Sequence, residues 1–437
     1  MIKPLISRRA GKLSGEITVP GDKSISHRAL ILASQAVGQS EITGLLESED
    51  VIHTAKALEL MGVEIHKTKD AWRIDGVGTG GLSEPDDILY MGNSGTGTRL
   101  MMGLCATHGF TSFFSGDKSL IKRPMLRAIT PLKKFGAEFI TREKGLLPLA
   151  VIGAKNPMPI SYELPVASAQ VKSAILLAAL NTPGKTTVIE KTPTRDHSEL
   201  MMKYFGFDIE VKKNGGAREI TLTGQAEIGP KKVVVPGDPS SAAFLVVAAL
   251  IVPGSEIIIK NVCINPERIG LYTSLQEMGA KLEFLNTREN AGEKIADIAA
   301  RYSELTGTEI PAARAPSMID EYPILSIAAA RANGKTIMLG LEELRVKESD
   351  RLTAIAEGLK VSGMEVMASE NSLTVTGAKN IPGGKTIETH MDHRIAMSFA
   401  VLGMVSEKPV TINDGAMIDT SFPGFVELVN GVGGNIE

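Results

Sequence analysis

Leu60-Met61-Gly62-Val63-Glu64-Ile65 joins the apolar end of a helical pattern, a glycine and an alternating apolar stretch. The phrase returns as Lys134-Phe135-Gly136-Ala137-Glu138-Phe139 and as Tyr204-Phe205-Gly206-Phe207-Asp208-Ile209. It returns again as Met278-Gly279-Ala280-Lys281-Leu282 and Ser362-Gly363-Met364-Glu365-Val366, with a weaker copy at Val432-Gly433-Gly434-Asn435-Ile436. The six glycines are spaced by 74, 70, 73, 84 and 70 residues. Physically, the phrase is a helix closed by glycine at its left-handed cap position and followed by a strand.

A second phrase fills the intervals. Small or polar residues open an Ala/Leu-rich helix, a Gly or Pro turn follows, and a β-branched strand comes next. Ser168-Ala169-Gln170-Val171-Lys172 runs in this way into Pro183-Gly184-Lys185-Thr186-Thr187-Val188. Together the phrases predict a strand-helix-strand-helix-strand-strand module of about 70 residues, an α/β repeat. Val19-Pro20-Gly21-Asp22 recurs as Val235-Pro236-Gly237-Asp238 and reads as a duplicated boundary. The expectation is two domains of three modules each. Residues 20–236 form the first, and 1–19 with 237–437 form the second. A small-ligand cleft between their facing surfaces is expected.

Composition narrows the function. The chain has 437 residues, 47 basic and 50 acidic, for a net charge of −3. That balance argues against bulk nucleic-acid binding, which leaves a basic footprint. The 44 glycines and 4% aromatic content suit close-packed Ala/Gly helices. Two cysteines, Cys105 and Cys263, make neither a disulfide framework nor a zinc cluster, so a reducing compartment is expected. Cys105 is expected in the core. The longest apolar run, Ala242 to Val252, is too short to span a bilayer. No apolar stretch follows Arg8-Arg9, so a cytoplasmic protein without a membrane partner is expected. His27, His197 and His393 lack metal-ligand spacing, and no metal is expected.

The informative charges lie at helix starts. Lys23, Ser24 and Arg28 crowd one, and Gly92-Asn93-Ser94-Gly95-Thr96-Gly97-Thr98-Arg99 opens another. Free N–H groups and the positive dipole end suit phosphate or carboxylate there. For one such site alone, an ordinary cap is the simpler reading. Arg123 reads equally as a solvated loop charge. Lys347, Glu348, Asp350 and Arg351 read equally as a salt-bridged helix face. Asp392-His393-Arg394 reads equally as a cap followed by surface charges. Recurrence of basic residues at equivalent module ends favours a cationic cleft for small polyanions within an acidic chain.

These residues resemble the 5-enolpyruvylshikimate-3-phosphate synthase family across essentially the whole chain. The carriers are Gly21-Asp22-Lys23-Ser24-Ile25-Ser26-His27-Arg28, Gly92-Asn93-Ser94-Gly95-Thr96, Arg123-Pro124-Met125, Ser168-Ala169-Gln170-Val171-Lys172 and Arg195-Asp196-His197-Ser198-Glu199. Asp320-Glu321-Tyr322-Pro323, Leu344 to Arg351 and Asp392-His393-Arg394-Ile395-Ala396-Met397 complete them. The resemblance implies a two-domain inverse α/β barrel of three βαβαββ units per domain. It implies transfer of the enolpyruvyl group of phosphoenolpyruvate (PEP) to the 5-hydroxyl of shikimate 3-phosphate by addition and elimination, without cofactor, metal or obligate partner. A monomer is expected.

The resemblance also implies site roles. Lys23, Ser24, Arg28, Ser168, Ala169, Gln170, Arg195, Asp320 and Lys347 would hold shikimate 3-phosphate. Lys23, Gly95, Arg123, Gln170, Arg351 and Arg394 would hold PEP. Catalysis would rest on Asp320 as base, Glu348 as acid and Lys23. Glu348 must then carry a proton, which neighbouring cations oppose.

The Ser168-Ala169-Gln170 motif and the Arg195-x-His197-x-Glu199 pattern are similar to the subgroup called class II, some members of which tolerate glyphosate. Asn265-Pro266-Glu267-Arg268 departs from that subgroup's Asn-x-Thr-Arg. Position 95 is Gly rather than the Ala of strongly tolerant members, and Thr420 stands where some members place a PEP-binding Lys. UDP-N-acetylglucosamine enolpyruvyl transferase shares the chemistry, but its reactive Cys has no counterpart between Gly116 and Pro124. An RNA 3′-phosphate-processing relative would favour a basic, aromatic-bearing surface. A catalytically dead homologue should lack Asp320, Glu348 or the arginines.

Overall fold

The computed structural model describes residues 3–437, so the first two residues of the expected second domain lie outside it. The chain divides into two units. One holds Gly21–Val235 with Glu289–Glu293, and the other holds 3–20, Pro236–Arg288 and Lys294–Glu437. The passages at Pro20/Gly21 and Val235/Pro236 fall inside the duplicated tetrapeptide. The excursion Glu289–Glu293, at the turn between the adjacent strands Lys281–Asn290 and Glu293–Arg301, has no sequence signature.

The module plan is clearest at Leu89–Tyr90, helix Gly95–Cys105, Thr111–Ser115, helix Leu126–Lys133, Glu138–Arg142 and Leu146–Ile152. The first two strands pair in parallel, and the last two lie antiparallel to their neighbours. Ser161–Glu163, Lys185–Glu190, Ala217–Thr223 and Ile209–Asn214 repeat the plan. The sheet of Val37–Thr43, Trp72–Val77 and Glu64–Lys67 takes its parallel strand, Lys232–Val234, from the far end of the same unit.

The other unit borrows strands in the same way. Ser14–Thr18 runs parallel to Glu256–Cys263. Glu309–Ile310 opens a complete module. Thr386–Ile387 pairs with Val410–Ile412, which also takes Leu5–Ser7 antiparallel.

All six phrase glycines sit at φ between +87° and +111°, the left-handed cap the spacing predicted. A second glycine set works differently. A Cβ on Gly76, Gly153, Gly224 or Gly377 would lie 1.7–2.2 Å from a carbonyl oxygen just past the end of its module's first helix. No side chain fits there, so the strand end abuts the helix end. The next residue then satisfies a helix carbonyl: Ala154 N donates to Ala106 O at 2.9 Å and Gln225 N to Leu180 O at 2.7 Å.

The helix Pro239–Ile251 is buried along its whole length and packs against Tyr322–Arg331 and His393–Gly403. In the other unit Gly103 lets helix Gly95–Cys105 close on Ala169–Leu180, since a Cβ would stand 2.3 Å from Ala174 O. Each Leu, Ile or Val so buried contributes about 1.5–3 kcal/mol. Rings have little room at such contacts. Among the described residues no helix is long and apolar enough to cross a membrane. Cys105 and Cys263 are both buried, and burial pushes the Cys105 thiol up to about 12, against a smaller Ser112 effect.

Candidate active site

In the unit of Gly21–Val235, several helix starts meet. Asp22 caps Lys23–Ser34, accepting from Ile25 N at 2.9 Å, and Ser94 caps Gly95–Cys105, accepting from Gly97 N at 3.0 Å. Ser168 caps Ala169–Leu180 through Val171 N at 3.4 Å. Side chains tie these ends together. Gln170 Nε2 donates to Thr96 Oγ1 at 2.9 Å, and its Oε1 accepts from Arg99 NH1 at 2.8 Å. His27 Nε2 lies 3.4 Å from Ser94 Oγ. Arg28 donates to Ser198 Oγ at 2.8 Å, Ser173 Oγ at 2.7 Å and Ser24 O at 2.8 Å.

Cations gather on this framework. Lys23 Nζ lies 3.1 Å from Asp50 Oδ2. Arg123 donates to Asn93 Oδ1 at 2.6 Å, Asn93 O at 3.2 Å and Ser119 Oγ at 2.8 Å. A Cβ built on Gly95 would stand 2.9 Å from Arg99 NH1 and 3.5 Å from Arg123 NH1, so Gly95 lies beside both guanidiniums. Burial pulls Arg28 down to about 10, partly offset by Glu199, Asp22 and Glu293, with Arg195 adding to the pull. Arg28 therefore stays charged at neutral pH. His27 is pulled down to about 3 by burial, then by Lys23 and Arg28, and stays neutral. Helix starts and cations together make an anion site.

Lys172 lies beneath it, wholly buried. Its Nζ sits 3.0 Å from Glu190, 2.7 Å from Glu199 and 3.4 Å from Thr194 O. It thereby grips both flanks of the segment that carries Arg195. Burial raises the Glu199 carboxyl, against Lys172.

In the other unit Arg351 is the organising residue, at 1% exposure. Its Nε donates to Asp392 Oδ2 at 2.8 Å, its NH1 to Asp320 Oδ1 at 3.1 Å and its NH2 to Glu348 Oε2. Burial opposes its charge, but Asp392, Glu348 and Asp320 outweigh burial and raise its pKa. Lys347 Nζ adds a second cation to Asp320 Oδ1 at 3.2 Å. Arg394 NH1 donates to Asp320 O at 3.1 Å. Asp392 caps His393–Gly403 through Arg394 N at 3.0 Å. Asp350 caps Arg351–Val361 through Thr353 N at 3.1 Å. Asp320 and Glu348, the expected base and acid, thus share one guanidinium.

Every expected site residue falls in one of these two groups. Lys23, Ser24, Arg28, Gly95, Arg123, Ser168, Ala169, Gln170 and Arg195 belong to one unit, and Asp320, Lys347, Glu348, Arg351 and Arg394 to the other. The solvated alternatives fail for the second group. Arg351 is buried, and Asp392 is both a helix cap and an ion-pair partner. Arg123 is half-buried and oriented by Asn93 and Ser119. Sequence reasoning missed the parts of Asp50, Arg99 and Lys172. Arg99 and Lys172 stood inside quoted motifs, but only their contacts reveal them. Thr420 ends the short turn Ala416–Thr420, its hydroxyl donating to Met417 O at 2.6 Å.

Comparison with known proteins follows the same lines. Residues 7–429 match the family model for EPSP synthase (3-phosphoshikimate 1-carboxyvinyltransferase). A protein of that name from Paramagnetospirillum magneticum is 59% identical, over 100% of this chain and 98% of its own. One from Parvibaculum lavamentivorans is 56% identical, over 98% of this chain and 96% of its own. The solved structure of EPSP synthase from Acinetobacter baumannii superposes with a TM-score of 0.89 at 44% identity, covering 99% of both chains. The enolpyruvyl transferase NikO from Streptomyces tendae, 16% identical, shares the fold at a TM-score of 0.79 over 100% of this chain and 99% of its own. The fold is the expected two-domain inverse α/β barrel of βαβαββ units.

Proposed function

The chain belongs to the EPSP synthase (3-phosphoshikimate 1-carboxyvinyltransferase) family, and we propose that it moves the enolpyruvyl group of PEP to the 5-hydroxyl of shikimate 3-phosphate, releasing phosphate. Lys23, Ser24, Arg28, Ser168, Ala169, Gln170 and Arg195, with Asp320 and Lys347, hold shikimate 3-phosphate. Lys23, Gly95, Arg123, Gln170, Arg351 and Arg394 hold PEP. Two phosphates and a carboxylate call for several cations, and arginine meets each in bidentate geometry.

Asp320 takes the proton of the 5-hydroxyl, and the freed oxygen attacks C2 of PEP. Glu348 gives its proton to C3, which becomes a methyl group in a tetrahedral adduct. Elimination then returns one methyl proton to the Glu348 carboxylate, reforms the C2–C3 double bond and breaks the C2–O bond to phosphate, whose developing charge Lys23 stabilises. The supporting observation is the Arg351 cluster. One buried guanidinium holds both proton carriers, with Lys347 and Arg394 also on Asp320. An anionic end of PEP on Arg351 competes with Glu348 for the same N–H groups and so frees the acid as substrate arrives.

The relatives from Paramagnetospirillum, Parvibaculum and Cereibacter, 54–59% identical, carry the shikimate enzyme's name, which does not favour a UDP-N-acetylglucosamine or RNA substrate. The retained Asp320, Glu348 and arginines speak against an inactive homologue. The reaction so written uses no cofactor or metal, and we place it in a cytoplasmic monomer with no nucleic-acid or membrane partner. Glyphosate competes with PEP in this reading, and an inhibition curve against PEP measures how strongly.

Phosphate release from PEP, strictly dependent on shikimate 3-phosphate, is the test. Asp320→Asn and Glu348→Gln each cut turnover by about 10²–10⁴-fold, with much smaller changes in KM. Near-wild-type turnover in both variants would sink the assignment.

A further inference from the structure

Arg268 closes the Asn265-Pro266-Glu267-Arg268 stretch, to which the mechanism gives no role. It is 2% exposed. Its NH2 donates to Asp238 Oδ1 at 3.1 Å and to Ser240 Oγ at 3.0 Å. Both partners stand at the start of helix Pro239–Ile251, where Asp238 accepts from Ser240 N at 2.7 Å. Ser240 passes its hydroxyl hydrogen to Glu321 Oε1. That oxygen lies 3.8 Å from Arg394 NH1. A row of contacts therefore runs from Arg268 through Ser240 and Glu321 to Arg394.

We propose that Glu321 is a positioning residue for PEP: held by Ser240, which Arg268 orients in turn, it aims the Arg394 guanidinium at the substrate.

Three observations support this. Glu321 is 3% exposed, and its Oε2 is buried with no hydrogen-bond partner among the described residues. A buried carboxylate oxygen without a partner is unfavourable and calls for a donor. Arg394 is the cation paired with the carboxylate's other oxygen, at 3.8 Å, and a guanidinium can meet both oxygens of a carboxylate at once. Second, Glu321 is not free to turn away. Ser240 donates to it while accepting from Arg268, which fixes the hydroxyl's direction. Third, Arg394 NH1 already donates to the carbonyl of Asp320, the residue before Glu321. That main-chain bond anchors one side of the Arg394 guanidinium, so a shift of Glu321 on the other side turns the PEP cation.

The inference rests on Arg394 as a PEP ligand, and steady-state kinetics separate the two ideas. Glu321→Gln keeps the shape and removes the charge; Ser240→Ala removes one bridging oxygen. Glu321→Gln raises the KM for PEP about tenfold and Ser240→Ala about threefold, while kcat and the KM for shikimate 3-phosphate stay within about twofold. Added to Arg394→Lys, Glu321→Gln has little further effect, because it acts through that guanidinium. If Arg394→Lys leaves the KM for PEP unchanged, the PEP site itself is misassigned and the inference falls with it. If Arg394→Lys raises that KM while Glu321→Gln and Ser240→Ala do not, or if the double variant is fully additive, the positioning role alone is overturned. Should thermal melting show Glu321→Gln unfolded, Ser240→Ala decides the matter.

Discussion

Arg28 and Arg351 are both buried, at 4% and 1% exposure, one in each unit. Among the described residues Arg28 is held by two serine hydroxyls and a main-chain carbonyl, whereas Arg351 is held by three carboxylates. Neutral oxygens aim a guanidinium without cancelling its charge. Burial makes that charge unfavourable, which is why Arg28 falls to about 10. An incoming phosphate or carboxylate relieves it. Arg351 has its countercharge already, so an anion there must displace a carboxylate. In the proposed reaction one group of residues binds, and the other moves protons as it binds.

Removing each guanidinium should expose this difference most strongly. Arg351→Met removes a buried cation that three carboxylates share and lowers stability by about 3–5 kcal/mol. Arg28→Met leaves only neutral partners and costs about 1–3 kcal/mol. Urea unfolding followed by circular dichroism reads both, and equal losses would erase the contrast.

A smaller effect is expected at Gly95. The Cβ of Gly95→Ala would stand 2.9 Å from Arg99 NH1, which must shift, and in ordinary contact with Arg123 NH1 at 3.5 Å. Displacing Arg99 beside the PEP site costs about 1 kcal/mol of PEP binding. The KM for PEP should rise and that for shikimate 3-phosphate should not. The reverse pattern would move Gly95 to the other substrate.

The effect that is smallest at neutral pH concerns His27, and it grows only as the solution turns acid. His27 is held near 3 by burial, Lys23 and Arg28, against 6.5 for an unperturbed imidazole. Between those values the unfolded chain binds a proton that the folded chain does not. Stability from this source is whole above pH 6.5 and falls as pH drops towards 3, by at most about 1.4 kcal/mol per pH unit. His27→Asn should flatten the melting temperature against pH across that window. An unchanged slope would place the acid sensitivity elsewhere.

What could be read in advance follows from what is local. The caps at Gly62, Gly136, Gly206, Gly279, Gly363 and Gly433 depend on their own φ and leave a phrase in the sequence. Gly76, Gly153, Gly224 and Gly377 answer to a carbonyl of another element, and nothing beside them announces it. The site divides in the same way. Motifs marked Arg28 and Arg351, but Ser198 lies 170 residues from Arg28 and Asp392 lies 41 from Arg351. No local window contains either pair. Within Lys347 to Arg351, Glu348 pairs with Arg351 at i,i+3, whereas Lys347 and Arg351 also reach Asp320 and Arg351 reaches Asp392, 27 to 41 residues away.

The borrowed strands bear on synthesis order. Lys232–Val234 completes the sheet begun by Val37–Thr43 within one unit, so that unit can close once its own far end has left the ribosome. Leu5–Ser7 pairs with Val410–Ile412 and must wait for about 400 further residues. At about 5–20 residues per second, that delay is roughly 20–80 s. Leu5–Ser7, with Leu5 and Ser7 buried in the finished fold, is therefore made before the inserted unit and finds its partner strand after it, exposing Leu5 and Ile6 while that unit folds.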